Sequence, residues 1–238
     1  MNKGITRRLD SMREIFDTQP LSAKVYEYIK AQILAGEIRE GERIPEERVG
    51  KVFGISRTPI REAIKRLEEY GLVRVKPRSY AEVVALDDMD AKQIAEVRAN
   101  LESFAVRLIT RNGRQEDFDA IRDLVDRCDA SLSAGDVGKT FSEDSLLHLE
   151  IARLCGNSHH FELFQKFDAK IQLARLQVHL PLETLSGFVG QHHGLLQAMI
   201  ARDEEGAVSR IQTHILGQLN HLKGQQPVSN ATTLATDG

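Results

Sequence analysis

The twenty residues Gly54–Val73, GISRTPIREAIKRLEEYGLV, constrain this chain more than any other stretch. Ser56 stands at an N-cap position, where a hydroxyl can accept from a free first-turn N–H. Pro59 falls in the first helical turn, where its missing donor does little harm. Beyond it, Ile60, Ala63, Ile64 and Leu67 recur at helical spacing and predict a buried stripe. Arg57, Arg61 and Lys65, four residues apart, share the opposite face. Gly71 predicts the end of the helix. Before it, Glu46–Phe53 reads as a short amphipathic helix with Val49, Val52 and Phe53 inward. Two short helices around a Gly-containing turn, the second basic, predict a helix-turn-helix.

A charged helix face is most often merely solvated, and periodicity alone favours that reading. The residues that follow argue for more. Leu72–Val75 and Val83–Leu86 are apolar runs on either side of a turn around Lys76–Tyr80, a two-stranded wing with Lys76 and Arg78 at its tip. A basic helix beside a basic wing is the outline of a DNA reader.

With these residues in view, Ile44–Val84 resembles the winged-helix domain of the GntR family of bacterial transcription regulators. The family's Gly-(Val/Ile)-Ser-Arg-Thr-Pro-(Val/Ile)-Arg-Glu-Ala-Leu run, closing in Leu-Glu-x-x-Gly-Leu-Val, is present from Gly54 to Val73 with conservative swaps. The resemblance implies DNA contacts from Ser56, Arg57, Thr58, Arg61 and Lys65, and from Arg78 on the wing. Tyr80 stands where the wing usually has a glycine, and Glu47 where many members carry a basic residue.

Charge separates the two halves of the chain. Residues 1–86 hold 17 Lys+Arg against 13 Asp+Glu; the remainder holds 15 against 22, for a net charge of −3 over all 238 residues. A basic module on an acidic one fits a DNA reader carrying a separate domain. The expected organisation is a flexible extension (1–21), the winged helix (22–86), an all-helical domain (87–223) and a disordered tail (224–238). Within the first domain, Ser22–Ala35 reads as an amphipathic helix with Val25, Ile29 and Ile33 inward. The second reads as six helices, roughly 90–111, 117–133, 139–155, 159–178, 184–202 and 204–223, giving a mainly α fold overall. No run of about 18 apolar residues suggests a membrane span. The two cysteines, Cys128 and Cys155, lie in apolar stripes and suit buried thiols in a reducing cytoplasm.

The helical half is informative for the polar residues inside its apolar stripes. Phe141, Asp144, His148, Ile151 and Cys155 share one face; Phe188, His192, Leu195 and Met199 share another; Ala207, Ile211, His214 and Gln218 a third. A lone inward histidine is usually a core residue with a satisfied hydrogen bond. Three histidines and an aspartate facing one interior leave that reading and a metal site both open, because a cation removes the cost of a buried carboxylate.

Residues 90–223 resemble the all-helical FCD domain that accompanies FadR-type members of the family. The resemblance implies a metal site on Asp144, His148, His192 and His214, which match its Asp-x-x-x-His, its His-x5-Ala segment (His192, Ala198) and its late helical histidine. Such a donor set suits one divalent transition metal per chain, Zn or Ni foremost, with Mn, Fe and Co also accommodated. His159, His160, His179, His193 and His221 match no motif position and are read as surface or packing residues.

Arg98 falls on the buried side of its helix with Ile94, Leu101, Ala105 and Leu108, and Arg175 lies among Phe164, Ile171 and Val178. The plain reading is an arginine paired with a carboxylate such as Glu102. Beside a metal, an inward guanidinium is also a fork for an organic acid, and the resemblance implies that role for Arg98; Arg175 joins it as a candidate effector-binding residue.

The expected function is a dimeric, ligand-responsive repressor of a carboxylate-metabolism operon. It binds a palindromic operator, and its spacing on DNA answers to metal and a small organic acid. Two rivals remain at this stage: a metal sensor without an organic ligand, and a metal-dependent hydrolase or deaminase, for which His148-Leu149-Glu150 reads as His-x-Glu. The Pro-Cys-x-x-Cys half of the deaminase signature and His-Glu-x-x-His are both missing.

Overall fold

A computed structural model describes residues 20–76, 80–176 and 182–221, apart from the side chain of Leu182. The predicted extension, except for Pro20 and Leu21, the centre of the wing turn with Arg78, His179 and the predicted tail all lie outside the described residues. The chain divides into two compact units. One runs to Leu86 and takes in Lys166–Leu173; the other runs from Asp87 to Gln165 and resumes at Ala174.

The first unit is built on three helices: α1 (Leu21–Leu34), α2 (Glu46–Phe53) and α3 (Arg57–Glu69). The inward positions of α1 are Val25, Tyr26, Ile29 and Ile33. They pack against the Ile60, Ala63, Ile64 and Leu67 stripe of α3. Between α2 and α3 the chain turns through Gly54, whose φ of 64° falls in the left-handed region that glycine occupies at no steric cost. Strands β1 (Val73–Lys76) and β2 (Tyr80–Val83) pair antiparallel, Val73 opposite Val83 and Lys76 opposite Tyr80. Arg43 adds a bridge to Glu82.

Three expectations for this unit need correction. Val52 is 56% exposed, and Phe53 is half-buried, edge-on to Tyr28. The contact face of α2 centres on Val49 and Gly50, because a Cβ at Gly50 would lie 3.4 Å from both Ile55 O and Ile60 Cδ1; Val52 is thereby rotated out. The second strand covers 80–83 rather than 83–86, since its inward positions are Ala81 and Val83, with the small Ala81 opposite Val75. Ser56 is the N-cap residue of α3, but its hydroxyl makes no capping hydrogen bond.

Six helices follow among the described residues, all in the second unit except Lys166–Leu173 of α7: α4 (Asp88–Asn112), α5 (Gln115–Ser133), α6 (Val137–Leu154), α7 (Ser158–Arg175), α8 (Leu182–Ile200) and α9 (Glu204–Gly217). A 3-10 turn, Gln218–His221, follows α9. Asp87 starts α4 with a capping box: its carboxylate accepts from Asp90 N while Asp90 accepts from Asp87 N. Asp136 and Asp203 cap α6 and α9. The core joins Val106 and Ile109 of α4, Phe118, Ile121 and Val125 of α5, Leu147 and Ile151 of α6, Leu195 and Met199 of α8, and Ile211 and Ile215 of α9. Each such side chain contributes about 1.5–3 kcal/mol on full burial. Arg202, between α8 and α9, has a φ of 61°, and its guanidinium donates at 2.7 Å to the carbonyls of both Thr110 and Gly113. No helix among the described residues is long and apolar enough to cross a membrane.

The mainly α fold, a helix-turn-helix with a two-stranded antiparallel sheet followed by a helical domain, matches the expected class.

Candidate metal centre and nucleic-acid interface

In the first unit, burying the apolar stripe of α3 turns its other face outward, and Ser56, Arg57, Thr58, Arg61 and Lys65 are all exposed. The sheet is tied to this helix by Val75 N, which donates to Glu68 Oε1 at 2.9 Å. Between helix and sheet lies a groove of about 520 Å³, lined by Arg61, Lys65, Glu68, Val75 and Tyr80 among others. A second and larger groove, about 1110 Å³, is bounded by α2 and the start of α3 with Arg48, Lys51, Arg57 and Arg61 on its walls. Tyr80 is half-buried in β2, and the Arg43 guanidinium stacks 3.8 Å from its ring centre. Lys76 is paired with Glu82 at 2.7 Å. Of the six residues expected at DNA, five line one exposed surface; Arg78 lies outside the described residues.

In the second unit, the i,i+4 spacing sets Asp144 and His148 one turn apart on the inner face of α6. His192 of α8 and His214 of α9 meet them. All four are buried, and one donor atom from each lies within 4.8 Å of every other. Asp144 Oδ1 is the common point, 3.5 Å from His148 Nε2, 3.2 Å from His192 Nε2 and 4.0 Å from His214 Nε2. Its second oxygen, Oδ2, lies 2.5 Å from Arg175 Nη2, and Arg175 Nη1 donates to Ser145 Oγ at 2.7 Å.

A layer of polar residues stands behind the cluster. His148 Nδ1 lies 2.5 Å from Glu102 Oε2, and Arg98 Nε donates to Glu102 Oε1 at 2.6 Å. His214 Nδ1 is 3.2 Å from Gln191 Oε1. Arg98 is therefore paired with Glu102, the plainer of the two readings. Its Nη2 is nonetheless buried with no hydrogen-bond partner among the described residues. Glu102 and Gln191 in their supporting positions escaped the sequence reading. The signal for Glu102 was its place on α4, four residues after Arg98 and three before the buried Ala105, within the inward stripe.

The electrostatics sort these groups. Burial, then the neighbouring imidazoles of His192 and His148, holds the His214 pKa well below its ordinary value. Burial also lowers His192. His148 goes the other way: burial opposes its protonation, but the Glu102 carboxylate, aided by Asp144, raises it. Burial pushes Asp144 upward, yet Arg175 and His148 outweigh it and hold the carboxyl well below the usual range. In the same way Arg98 and His148 overcome the burial of Glu102 and bring it down to about 2.

Whether a cation fits can be judged from unsatisfied atoms. Among the described residues, His148 Nε2 and His192 Nε2 are buried without a hydrogen-bond partner, although each lies near Asp144 Oδ1. Buried polar atoms left in this state are costly unless something completes them. Three nitrogen donors around one carboxylate oxygen suit a divalent transition metal.

The remaining histidines have other partners. His160 is buried, with Nε2 2.8 Å from Leu101 O and Nδ1 3.7 Å from Cys155 Sγ. His193 meets Asp129 at 2.6 Å on the surface, His221 packs edge-on against Phe188, and His159 is exposed. Cys128 and Cys155 are buried free thiols, and burial pushes Cys128 up to about 12.

Comparison with known proteins bears on both units. Residues 21–83 match "Bacterial regulatory proteins, gntR family", and residues 93–217 match "FCD domain". The uncharacterized HTH-type transcriptional regulator YdhC of Bacillus subtilis (strain 168) is 24% identical over 205 residues, which cover 86% of this chain and 92% of that protein. The HTH-type transcriptional repressor GlaR of Escherichia coli (strain K12) is 24% identical over 201 residues, 80% of this chain and 90% of that one. Among solved structures, E. coli McbR/YncC has the same fold with a TM-score of 0.74 at 23% identity, covering 85% of this chain and 98% of that one.

Proposed function

The chain belongs to the GntR family of bacterial regulatory proteins and carries an FCD domain, and on that footing we propose what its second unit senses. It is a DNA-binding transcriptional regulator rather than an enzyme. Residues 22–86 form the reader, and residues 87–223 sense one divalent transition metal, Zn or Ni foremost, together with a small organic acid. The observation that carries this reading is the convergence of Asp144, His148, His192 and His214 within 4.8 Å, in a buried setting that leaves imidazole nitrogens unsatisfied. When bound, the cation supplies positive charge and a coordination position that a ligand oxygen can take. The free Nη2 of Arg98 supplies the hydrogen-bond donor for an acid's carboxylate.

The regulator acts as a homodimeric repressor on a two-fold pseudo-palindrome. One recognition helix covers too few base pairs for genomic specificity, and symmetry doubles the contact. The name of GlaR, a repressor, agrees with that sign of control. Elemental analysis of purified wild type against His192→Ala tests the metal: one equivalent per chain is expected in the first and a sharp loss in the second. Equal metal in both would sink the site. Operator affinity with and without a panel of carboxylates, compared between wild type and Arg98→Ala, tests the acid; a variant that still responds at the same concentration would remove Arg98 from the effector site.

A further inference from the structure

Glu102 contributes no donor to the four-residue cluster, yet it is the most deeply buried charged residue near it, at 0% exposure. Its two oxygens are committed to different partners: Oε1 accepts from Arg98 Nε at 2.6 Å, and Oε2 lies 2.5 Å from His148 Nδ1. An ionised carboxylate can only accept hydrogen bonds, so this contact requires the hydrogen of neutral His148 to sit on Nδ1. A neutral imidazole has one such hydrogen. Nε2 is then left as a bare lone pair, and this atom is buried, lacks a hydrogen-bond partner among the described residues and lies 3.5 Å from Asp144 Oδ1.

We propose that Glu102 is a positioning residue for the cation site: it selects the His148 tautomer that presents Nε2 as a donor, and Arg98 holds Glu102 in the orientation that does so. The inference rests on the reading of the four-residue cluster as metal ligands and adds Glu102 and Arg98 as residues acting through His148. Its chemistry makes the isosteric amide a sharp probe. In Glu102→Gln, the amide oxygen is the one acceptor and stays with Arg98 Nε, a donor. The amide NH2 then faces His148 Nδ1 and donates to it. The ring hydrogen must move to Nε2, which blocks the atom a cation needs.

Long-range 1H–15N NMR of the metal-free full-length protein, taken to a pH at which the His148 signals show a neutral ring, reads the tautomer. Co2+ titration followed by visible absorption reads the site's affinity. Wild type should show His148 protonated at Nδ1. Glu102→Gln should show it protonated at Nε2, with Co2+ affinity lower by about 10–100-fold, the usual effect of losing a residue that orients a metal ligand, and with unchanged helical circular dichroism. Wild-type His148 protonated at Nε2 would overturn the proposal, and this measurement stands even where the variant fails to fold. Equal Co2+ affinity in wild type and a folded variant would overturn it too, while leaving the four-ligand reading in place. Wild type that takes up no Co2+ at all would bring down the cation reading, and this inference with it.

Discussion

Arg175 holds the outer oxygen of Asp144, with Nη2 2.5 Å from Oδ2. The inner oxygen, Oδ1, is thereby left to the three imidazoles. A single carboxylate thus joins a permanent guanidinium to the three imidazoles. Arg175, expected beside an effector, partners Asp144 and Ser145 in this geometry.

Removing that guanidinium strands a buried carboxylate. Arg175→Met should destabilise the metal-free protein by about 3 kcal/mol, the order seen when one partner of a buried pair is lost. The loss should shrink with saturating Zn2+, because a cation then compensates Asp144 from its other side. Calorimetry of both proteins, with and without Zn2+, makes the comparison; an identical loss in the two conditions would show that Asp144 and the metal do not share charge.

On the DNA side, Arg57→Ala should leave the fold intact, since the side chain is exposed on α3. A bidentate arginine–guanine pair discriminates by about 1–3 kcal/mol, so selectivity for an operator recovered by in vitro selection should fall roughly 5- to 150-fold against a scrambled duplex at fixed salt. Fluorescence anisotropy reads both affinities. Unchanged selectivity would remove Arg57 from base recognition.

Arg202 combines a left-handed backbone with two carbonyl contacts that tie the α8–α9 junction to the end of α4. Arg202→Ala keeps the strained backbone and loses both bonds, at an expected cost of about 2–4 kcal/mol. Arg202→Gly loses the bonds but relieves the strain, worth about 1 kcal/mol at such positions. Thermal denaturation should therefore rank wild type above Gly and Gly above Ala. Gly and Ala variants of equal stability would mean that the backbone there is unstrained.

Tyr26 gives the winged helix an alkaline limit. Burial, reinforced by Glu27, pushes its phenol up to about 12 from an ordinary value of 10.0. A group whose folded pKa is raised stabilises the fold fully below its unfolded value, and that contribution is lost as pH rises through the folded one. Stability should thus decline between pH 10.0 and about 12, and Tyr26→Phe should flatten that decline. Denaturant melts across this window test it; parallel pH profiles for the two proteins would rule out Tyr26 as the cause.

Much of the fold was legible because helices announce themselves by period. Ile60, Ala63, Ile64 and Leu67 had to share a face whatever packed on it, and they are buried. The polar interruptions Asp144, His148, His192 and His214 were legible for the same reason: each replaces an apolar residue at a position the period turns inward. Glu102 was harder, because an acid one turn from an arginine looks like an ordinary helix pair; only the arrival of α6 brings His148 to its second oxygen. Val52 and Ala81 misled the reading in opposite directions. The contact face of α2 turns on the missing Cβ of Gly50, and the wing buries a methyl group where the eye follows larger side chains. Ser56 has the residue type and position of a cap, but hydroxyl orientation is a local choice that composition does not specify.

Arg175's hold on one oxygen of Asp144 also decides which ions the cluster ignores. With Oδ2 engaged, the four residues offer three nitrogens and a single oxygen. Calcium demands six to eight oxygen ligands, and magnesium prefers an octahedron of oxygens and gives up its water reluctantly. Both are abundant competitors in a cell, and neither finds its preferred surroundings here. On the proposed metal reading, such a site would distinguish a scarce transition metal from a large background of calcium and magnesium, and magnesium buffers would leave it unloaded in DNA-binding assays.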